Sequence, residues 1–211
     1  MKTILHVLVI TIIAIINLHP QNKMSIQLSG GIMSPVNAQQ GLSGLVQFNY
    51  STSKNNSVYA SLLTSSWDFN RINFNEDNVP VPIKSHDEEN HILNSIYIGD
   101  RIIFNRNKFF NAYVDLELGY THLNYLHVFL ERQVNPDGTI QYIPNYALSN
   151  EVHESMLGTG VGVGIQHHMV GKFDLMLNVK LNTFFNDFSS GIFNFQRTYL
   201  SYMFGFGYNI N

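Results

Sequence analysis

The segment TYLSYMFGFGYNIN, from Thr198 to Asn211, alternates strictly between two kinds of side chain. One face is mostly large and apolar, and consists of Thr198, Leu200, Tyr202, Phe204, Phe206, Tyr208 and Ile210. The other face is mostly small or polar and includes two glycines. Because successive side chains of a β-strand point to opposite sides of the sheet, this pattern predicts a long strand with one aromatic face. A strand that crosses a lipid bilayer needs this arrangement, since its outer face meets hydrocarbon and its inner face lines a narrow lumen. The segment therefore predicts a wall strand of a transmembrane β-barrel.

Eight segments of the chain show the same alternation with a period of two. They run over Ser25–Met33, Leu42–Tyr50, Ser57–Trp67, Ile92–Phe104, Asn111–His122, Glu154–Gln166, Phe173–Phe184 and Phe195–Ile210. In the sixth segment, apolar residues alternate with a row of glycines from Gly158 to Gly164. In the fourth, Asp100 and Arg101 fall on opposite faces, so that one faces outward or a bulge intervenes. The pattern predicts an all-β fold, an eight-stranded antiparallel up-and-down transmembrane β-barrel.

The connections between these segments alternate in length. Those after the second, fourth and sixth segments are short and polar, at Ser51–Asn56, Asn105–Phe110 and His167–Lys172. The others are longer, and two of them, Asp68–His91 and Leu123–His153, are very long. Short periplasmic turns and long outer loops are typical of bacterial outer-membrane barrels. With an even number of strands, both termini are expected to be periplasmic.

The beginning of the chain has the pattern of a secretion signal. Lys2 is followed by an apolar run from Ile4 to Leu18, which is shorter than the ~20 residues that a membrane-spanning helix needs. We expect residues 1–20 to be a cleaved signal peptide and residues 21–211 to form the transmembrane β-barrel domain.

Composition excludes several classes of function. The chain has no cysteine, so it can form neither a disulfide nor a thiolate metal site. Its formal net charge of −3 and the lack of a basic face argue against binding to nucleic acid. His86, Asp87, Glu88, Glu89 and His91 form an acidic cluster whose spacing matches no defined metal site, so we expect a solvated loop, no metal and no cofactor.

The overall pattern resembles the eight-stranded outer-membrane barrels of the OmpX and OmpA-transmembrane type, within the porin-like group of outer-membrane barrel proteins. The resemblance covers residues 21–211. The last strand resembles the signal that such proteins present to the barrel insertion machinery, with Tyr202, Phe204, Phe206 and Tyr208 at the matching positions, although it ends in Ile210 and Asn211. The resemblance implies a monomer in the outer membrane of a Gram-negative-type bacterium, in contact with outer-membrane lipid.

Four charged residues fall on faces that would line the lumen: Asp115, Glu117, Lys180 and Arg197. The interior of an eight-stranded barrel is just wide enough for side chains to fill it. An unpaired buried charge is strongly destabilising, so these residues are expected to form a network of ion pairs. A gated conduction path through the same charges is the alternative.

His153 and Ser155 are two residues apart and share the lipid-facing side of the sixth segment, with Glu151 on the same parity. The pair is similar to the His-x-Ser pair, oriented by a Glu, with which lipid-A deacylase barrels attack acyl esters. That similarity implies an alternative function, hydrolysis of lipid-A or phospholipid acyl chains. The longer local motif of that family is missing here, and we expect no enzymatic activity.

The region between the fifth and sixth segments predicts a hairpin that extends beyond the membrane. The sequence Asn135-Pro-Asp-Gly138 is a strong turn signal between two β-prone runs. Phe129, Tyr142 and Ile143 lie on this hairpin, where an exposed edge can bind a surface protein or a matrix partner. The expected function is therefore structural support of the envelope and surface interaction through long loops.

A secreted soluble lipocalin-like binding barrel is the other alternative, in which the apolar faces would point inward.

Overall fold

The computed structural model describes residues 24–36, 38–69, 72–74, 83–85, 88–104, 109–185 and 198–210. Ten β-strands lie in this part of the chain. They are β1 Met24–Pro35, β2 Gly41–Ser51, β3 Asn56–Phe69, β4 Ile72–Phe74, β5 Ile83–Ser85, β6 Glu88–Phe104, β7 Phe110–Val134, β8 Ile140–His168, β9 Phe173–Phe185 and β10 Thr198–Ile210. None of the residues described belongs to a helix long and apolar enough to span a membrane.

Eight of the strands form one closed barrel in the order β1-β10-β9-β8-β7-β6-β3-β2. Every neighbouring pair in the barrel is antiparallel. The two short strands β4 and β5 pair with each other in the long connection between β3 and β6. The predicted eight-stranded up-and-down barrel is confirmed. The signal peptide predicted for residues 1–20 lies outside the described residues.

The register around the wall is staggered. The stagger can be measured by following paired residues around the barrel from Phe204 of β10. In one direction, through β9, they lead to Ile165 of β8. In the other direction, through β1, β2, β3, β6 and β7, they lead to Ser155 of the same strand β8. The two positions differ by ten residues (165 − 155). Such a stagger tilts the strands relative to the barrel axis, so a row of paired residues climbs along the wall.

The strands end differently at the two ends of the barrel. At one end, called the turn end below, β2 and β3 are joined by a short turn, and Met24 of β1 pairs with Ile210 of β10. At the other, the hairpin end, β7 and β8 continue together well beyond their neighbours. The hairpin predicted between the fifth and sixth segments is therefore present. The first residues predicted for the last strand, 195–197, lie outside the described residues.

The outer surface of the wall is apolar. Every wall strand carries large, exposed apolar residues on its outer face, such as Val161, Leu177 and Phe206, which are 51%, 57% and 54% exposed. In water such a continuous surface would be unfavourable, whereas in a bilayer it meets hydrocarbon. The soluble lipocalin-like alternative is wrong, because in that fold the apolar residues would point inward.

The interior is filled by side chains in layers. Toward the hairpin end lies an apolar cluster of Met33, Leu45, Leu63, Leu93, Tyr97, Met156, Phe184, Tyr199 and Met203. A smaller cluster of Ile103, Tyr113 and Met176 lies toward the turn end. Charged residues of β6, β7 and β9 are buried between the two clusters.

Candidate functional site: a filled lumen below a projecting hairpin

Two ion pairs lie in the middle of the lumen. Arg101 of β6 donates Nε to Oδ1 of Asp115 at 2.7 Å and Nη2 to Oδ2 at 2.9 Å, so this pair is bidentate. Lys180 of β9 donates Nζ to Oε2 of Glu117 at 2.6 Å and lies 3.9 Å from Asp115. All four side chains are buried. Two cations and two anions thus neutralise each other, as buried charges require.

Neutral side chains complete the hydrogen bonding of both carboxylates. Glu117 accepts hydrogen bonds from the hydroxyl of Tyr59 at 2.8 Å and from Nδ2 of Asn182 at 2.7 Å. Asp115 accepts one from Nδ2 of Asn178 at 3.3 Å. A buried ion pair is stable only when its remaining lone pairs are satisfied in this way. The network therefore connects β7 with β3, β6 and β9 inside the barrel.

Arg101 is the central residue of this network, and it was not among the four charges predicted from the sequence. Its guanidinium lies over the ring of Tyr113, 3.8 Å from the ring centre. The residue shares its parity with Tyr97 and Gly99, which also face the lumen, while Asp100 faces outward without a bulge. This alternation was the signal in the sequence from which the inward position of Arg101 could have been predicted. Of the four predicted charges, the structure brings Asp115, Glu117 and Lys180 together, and Arg197 lies outside the described residues.

The glycine row of β8 makes room for these side chains. At Gly160 a Cβ atom would overlap with the side chains of Asn182 and Glu117. At Gly164 it would overlap with the ring of Tyr113. Larger residues on this face of β8 would therefore displace the groups that fill the lumen. The arrangement suits a solid, braced barrel rather than a wide pore.

A stack of three rings covers the lumen at the hairpin end. The imidazole of His91 lies between Trp67, at 4.7 Å between ring centres, and Tyr125, at 5.2 Å. Nε2 of His91 is 3.2 Å from Oε2 of Glu88. The expectation of a solvated loop is therefore wrong for His91, which is 1% exposed. His91 lies inside because β6 begins at Glu88, so the alternation that points Leu93 inward includes His91 as well.

A polar cluster occupies the turn end of the lumen. The carboxylate of Asp174 is buried and accepts hydrogen bonds from Gln166 at 2.7 Å and Asn209 at 2.8 Å. Nδ1 of His168 lies 2.5 Å from the same carboxylate, and its Nε2 is 2.8 Å from Nδ2 of Asn111. Side chains from β7, β8, β9 and β10 are thus connected at this end.

The projecting hairpin is held by a well-defined turn. The backbone N–H of Asn135 donates to the carbonyl of Thr139 at 2.8 Å, and Gly138 has a φ of +84°, which favours glycine. Asp137 accepts hydrogen bonds from Thr139 N at 3.0 Å and Oγ1 at 2.6 Å. These bonds stabilise the charged carboxylate and lower the pKa of Asp137. Near the base of the hairpin, Tyr146 donates to Glu89 of β6 at 3.1 Å, and this hydrogen bond raises the pKa of Tyr146.

The three residues predicted to form a contact surface on the hairpin do not share one face. Phe129 pairs with Asn145, and Ile143 pairs with Glu131, so Phe129 and Ile143 lie on one face. Tyr142 pairs with Arg132 on the opposite face. That opposite face is the more apolar one and also carries Leu130, Val134, Ile140 and Pro144. We call it the apolar hairpin face.

Solved structures of outer-membrane barrels resemble this architecture. Neisserial surface protein A aligns over 89% of this chain and 96% of its own, with a TM-score of 0.52 and 11% identity. A major outer membrane protein from Thermus thermophilus aligns over 90% of this chain and 99% of its own, with a TM-score of 0.57 and 9% identity. The protein has the fold of an eight-stranded outer-membrane β-barrel. No protein-family model matches the sequence. A search of the curated proteins also finds no match.

The predicted insertion signal forms part of the wall of this outer-membrane barrel. The large side chains of the signal point outward and are about half exposed: Tyr202, Phe204, Phe206 and Tyr208. The strand that carries them, β10, closes the barrel by pairing with β1 and β9. Its recognition by an insertion machinery stays a prediction.

The structure does not join His153 to Ser155 as a catalytic pair. Nδ1 of His153 lies 2.7 Å from Oδ1 of Asn124, and its Nε2 is 3.9 Å from Glu151. The hydroxyl of Ser155 is instead 3.1 Å from Nδ1 of His122, its neighbour on β7. The two imidazoles stack at 6.2 Å between ring centres. The sequence could not reveal the partner of Ser155, because that partner lies on another strand.

Among the residues described, no group of three or more His, Asp or Glu side chains is placed to hold a metal ion. Glu88 and His91, two members of the acidic cluster, bind each other at the mouth of the lumen. His86 and Asp87 lie outside the described residues.

Proposed function

We propose that the protein is an integral outer-membrane barrel without enzymatic activity, which supports the envelope and presents the β7–β8 hairpin as a contact surface outside the cell. In this orientation the turn end, with both ends of the barrel chain, faces the periplasm. The apolar wall supports the membrane location, and the filled lumen supports a structural role rather than diffusion of solutes.

The length of the hairpin is the observation that carries the proposal. β7 has 25 residues and β8 has 29, whereas a transmembrane strand needs about 9–11. The lipid-facing apolar residues of these strands end at Tyr120 and Leu157, and His122 and Ser155 follow. Roughly half of each strand therefore stands beyond the apolar band, which is more than closing the barrel requires.

The hairpin offers a strand edge as well as apolar side chains. Within the described residues, β7 pairs with β6 only up to His127, and β8 pairs with β9 only from Leu157. Because the N–H of Asn135 points to β8, the alternating N–H groups of Arg132 and Val134 point away from it. A partner strand can accept these hydrogen bonds and cover the apolar hairpin face at the same time. We infer a surface protein or matrix partner that adds a strand to β7.

A shortened hairpin tests this function. Replacing Leu130–Pro144 by Asn-Gly removes the tip but keeps Val128, which is 1% exposed and supports the base. The variant should still insert and show a heat-modifiable β-form, because no wall hydrogen bond is lost. Cells that carry it should lose most of their adhesion to matrix or to neighbouring cells.

Two point variants distinguish the contribution of the Arg132 backbone N–H to adhesion from that of its side chain. Arg132→Pro removes one outward N–H and should reduce adhesion, whereas Arg132→Ala keeps that N–H and should adhere like the unchanged protein. Unchanged adhesion in the shortened variant would exclude the hairpin as the functional element. Equal losses in both point variants would exclude strand addition.

A further inference from the structure

The outer wall contains a groove of about 820 Å³ that neither the barrel closure nor the hairpin requires. It follows one row of paired residues across six strands: Phe204, Gly30, Gly44, Thr64, Asn94 and His122. The row below it is uniformly large and apolar, and consists of Phe206, Leu28, Val46, Leu62, Ile96 and Tyr120. Five steps between neighbouring strands make the groove roughly 24 Å long.

The two glycines that floor the groove are not needed for packing of the wall. A Cβ atom at Gly30 would meet only the carbonyl of Ser43 at 3.8 Å, and one at Gly44 only Cγ2 of Thr64 at 3.7 Å. Both are ordinary contact distances. At Gly99 and Gly205, in contrast, a Cβ would overlap with neighbouring atoms. Gly30 and Gly44 thus leave open a space on the lipid side that larger residues could fill.

The groove becomes polar toward the hairpin end. Thr64 donates its hydroxyl to Oδ1 of Asn94 at 2.9 Å, and His122 contacts Ser155 through Nδ1. Within the described residues, Nδ2 of Asn94 and Nε2 of His122 have no hydrogen-bond partner in the protein. At the edge of a bilayer, polar groups without a partner are unfavourable unless a lipid or water group binds them.

We propose that this groove binds one acyl chain of a glycerophospholipid, with the ester carbonyl of that chain held by Nδ2 of Asn94 and Nε2 of His122. The chain lies over Gly30 and Gly44 and ends near Phe204. Because the row of paired residues climbs along the wall, its apolar end is deep in the membrane and its polar end is at the border. A phospholipid is arranged in the same way, with its acyl chain deep in the membrane and its ester groups at the border.

The chemistry of the lining favours a neutral lipid segment. Among the described residues that line the groove there is no Asp, Glu, Lys or Arg, and the polar end of the groove presents N–H donors. An ester carbonyl is an acceptor only, so it complements these donors without a buried charge. The two rows of side chains that border the groove lie two residues above and two residues below it along each strand, so their backbones are roughly 13 Å apart. Side chains such as Ile92 and Ile96 project from these rows and narrow the groove. The remaining slot is too narrow for a helix of about 10–12 Å diameter.

Retention of phospholipid by the purified full chain tests the proposal. The protein is extracted in mild detergent, mixed with palmitoyl-oleoyl phosphatidylethanolamine, and examined by native mass spectrometry. We expect the unchanged protein to retain one phospholipid. The double variant Gly30→Leu, Gly44→Leu should retain at least tenfold less, because its side chains fill the groove. The control Ala60→Leu places a leucine at an exposed wall position outside the groove and should retain the lipid normally.

A second variant tests the polar end with the groove left open. Asn94→Leu removes the amide, adds an apolar group to the lipid side and should lower retention several-fold while the heat-modifiable β-form persists. The proposal is overturned if the unchanged protein retains no phospholipid, or if the double variant and Asn94→Leu both retain as much as Ala60→Leu does. Retention of free fatty acid to the same extent as phospholipid would exclude the ester contact.

Discussion

Arg101 and Asp115 form a bidentate ion pair in the centre of the barrel, with Nε to Oδ1 at 2.7 Å and Nη2 to Oδ2 at 2.9 Å. The two residues face each other on the adjacent strands β6 and β7. Lys180 lies 3.9 Å from the same carboxylate, so a second cation shares its charge. Through Lys180, this pair is connected to the ion pair with Glu117. Loss of Arg101 therefore leaves the buried charge of Asp115 without its main partner.

Arg101→Met should destabilise the barrel by roughly 3–5 kcal/mol, because it leaves Asp115 buried without its main partner. Unfolding by guanidinium in lipid vesicles, followed by the fluorescence of Trp67, measures the change. The double variant Arg101→Met, Asp115→Asn should lose much less, since no buried charge is left unpaired. An equal loss in both variants would mean that packing rather than charge pairing is responsible.

Val161 faces the lipid near the middle of the membrane-spanning part of β8, and Leu157 faces it near the hairpin-end border. Val161→Arg should reduce the free energy of unfolding in lipid by roughly 2–4 kcal/mol, and Leu157→Arg by only about 0–1 kcal/mol. The same vesicle unfolding assay compares them. If the two variants were equally stable, the assignment of the apolar band to hydrocarbon would be incorrect.

The fold could be predicted because period and connection length are local properties of the sequence. Along β8, Val161 and Gly162 occupy opposite faces simply because they are neighbours in an extended strand. The short turns and long loops then indicated which segments pair. The boundaries predicted for β1 and β2 agree with the observed Met24–Pro35 and Gly41–Ser51 to within two residues.

The contacts of individual site residues could not be predicted in the same way, because they depend on the register between strands. Ser155 meets His122 only because β7 and β8 pair in the observed register. His91 points inward because β6 begins at Glu88 rather than at the predicted Ile92, and it is covered by Trp67 of β3 and Tyr125 of β7. These contacts arise from pairing between strands, which alternation within one strand does not encode.

The filled lumen predicts that the purified protein forms no large, stable conductance in planar bilayers. Tyr113, Met176, Lys180 and Tyr199 are all at most 3% exposed. The variant Tyr97→Ala, Tyr199→Ala should also conduct little, because the ion-pair layer closes the lumen separately. Porin-like open currents from the unchanged protein would instead indicate a diffusion channel.

The turn at the tip of the hairpin should withstand mild acid. The hydrogen bonds from Thr139 lower the folded pKa of Asp137 below the unfolded value of about 3.9. The stabilisation is therefore complete above that value and is lost only as the pH falls through the lowered pKa. The amide shift of Thr139, followed by NMR in nanodiscs, should titrate with a midpoint below about 3.9. A midpoint at or above that value would show that these hydrogen bonds do not form.

The placement of Ser155 predicts that the protein does not hydrolyse lipid esters. Its hydroxyl contacts Nδ1 of His122, while His153 is held 2.7 Å from Asn124. A catalytic serine needs a base that is itself oriented by a third group, and within the described residues Nε2 of His122 has no such partner. Purified barrel in phospholipid or lipid-A micelles should release no fatty acid above background, and Ser155→Ala should behave identically. Release that disappeared in both Ser155→Ala and His122→Ala would establish an acyl hydrolase with His122 as its base. Release that was lost in His153→Ala but kept in His122→Ala would instead support the His-x-Ser alternative.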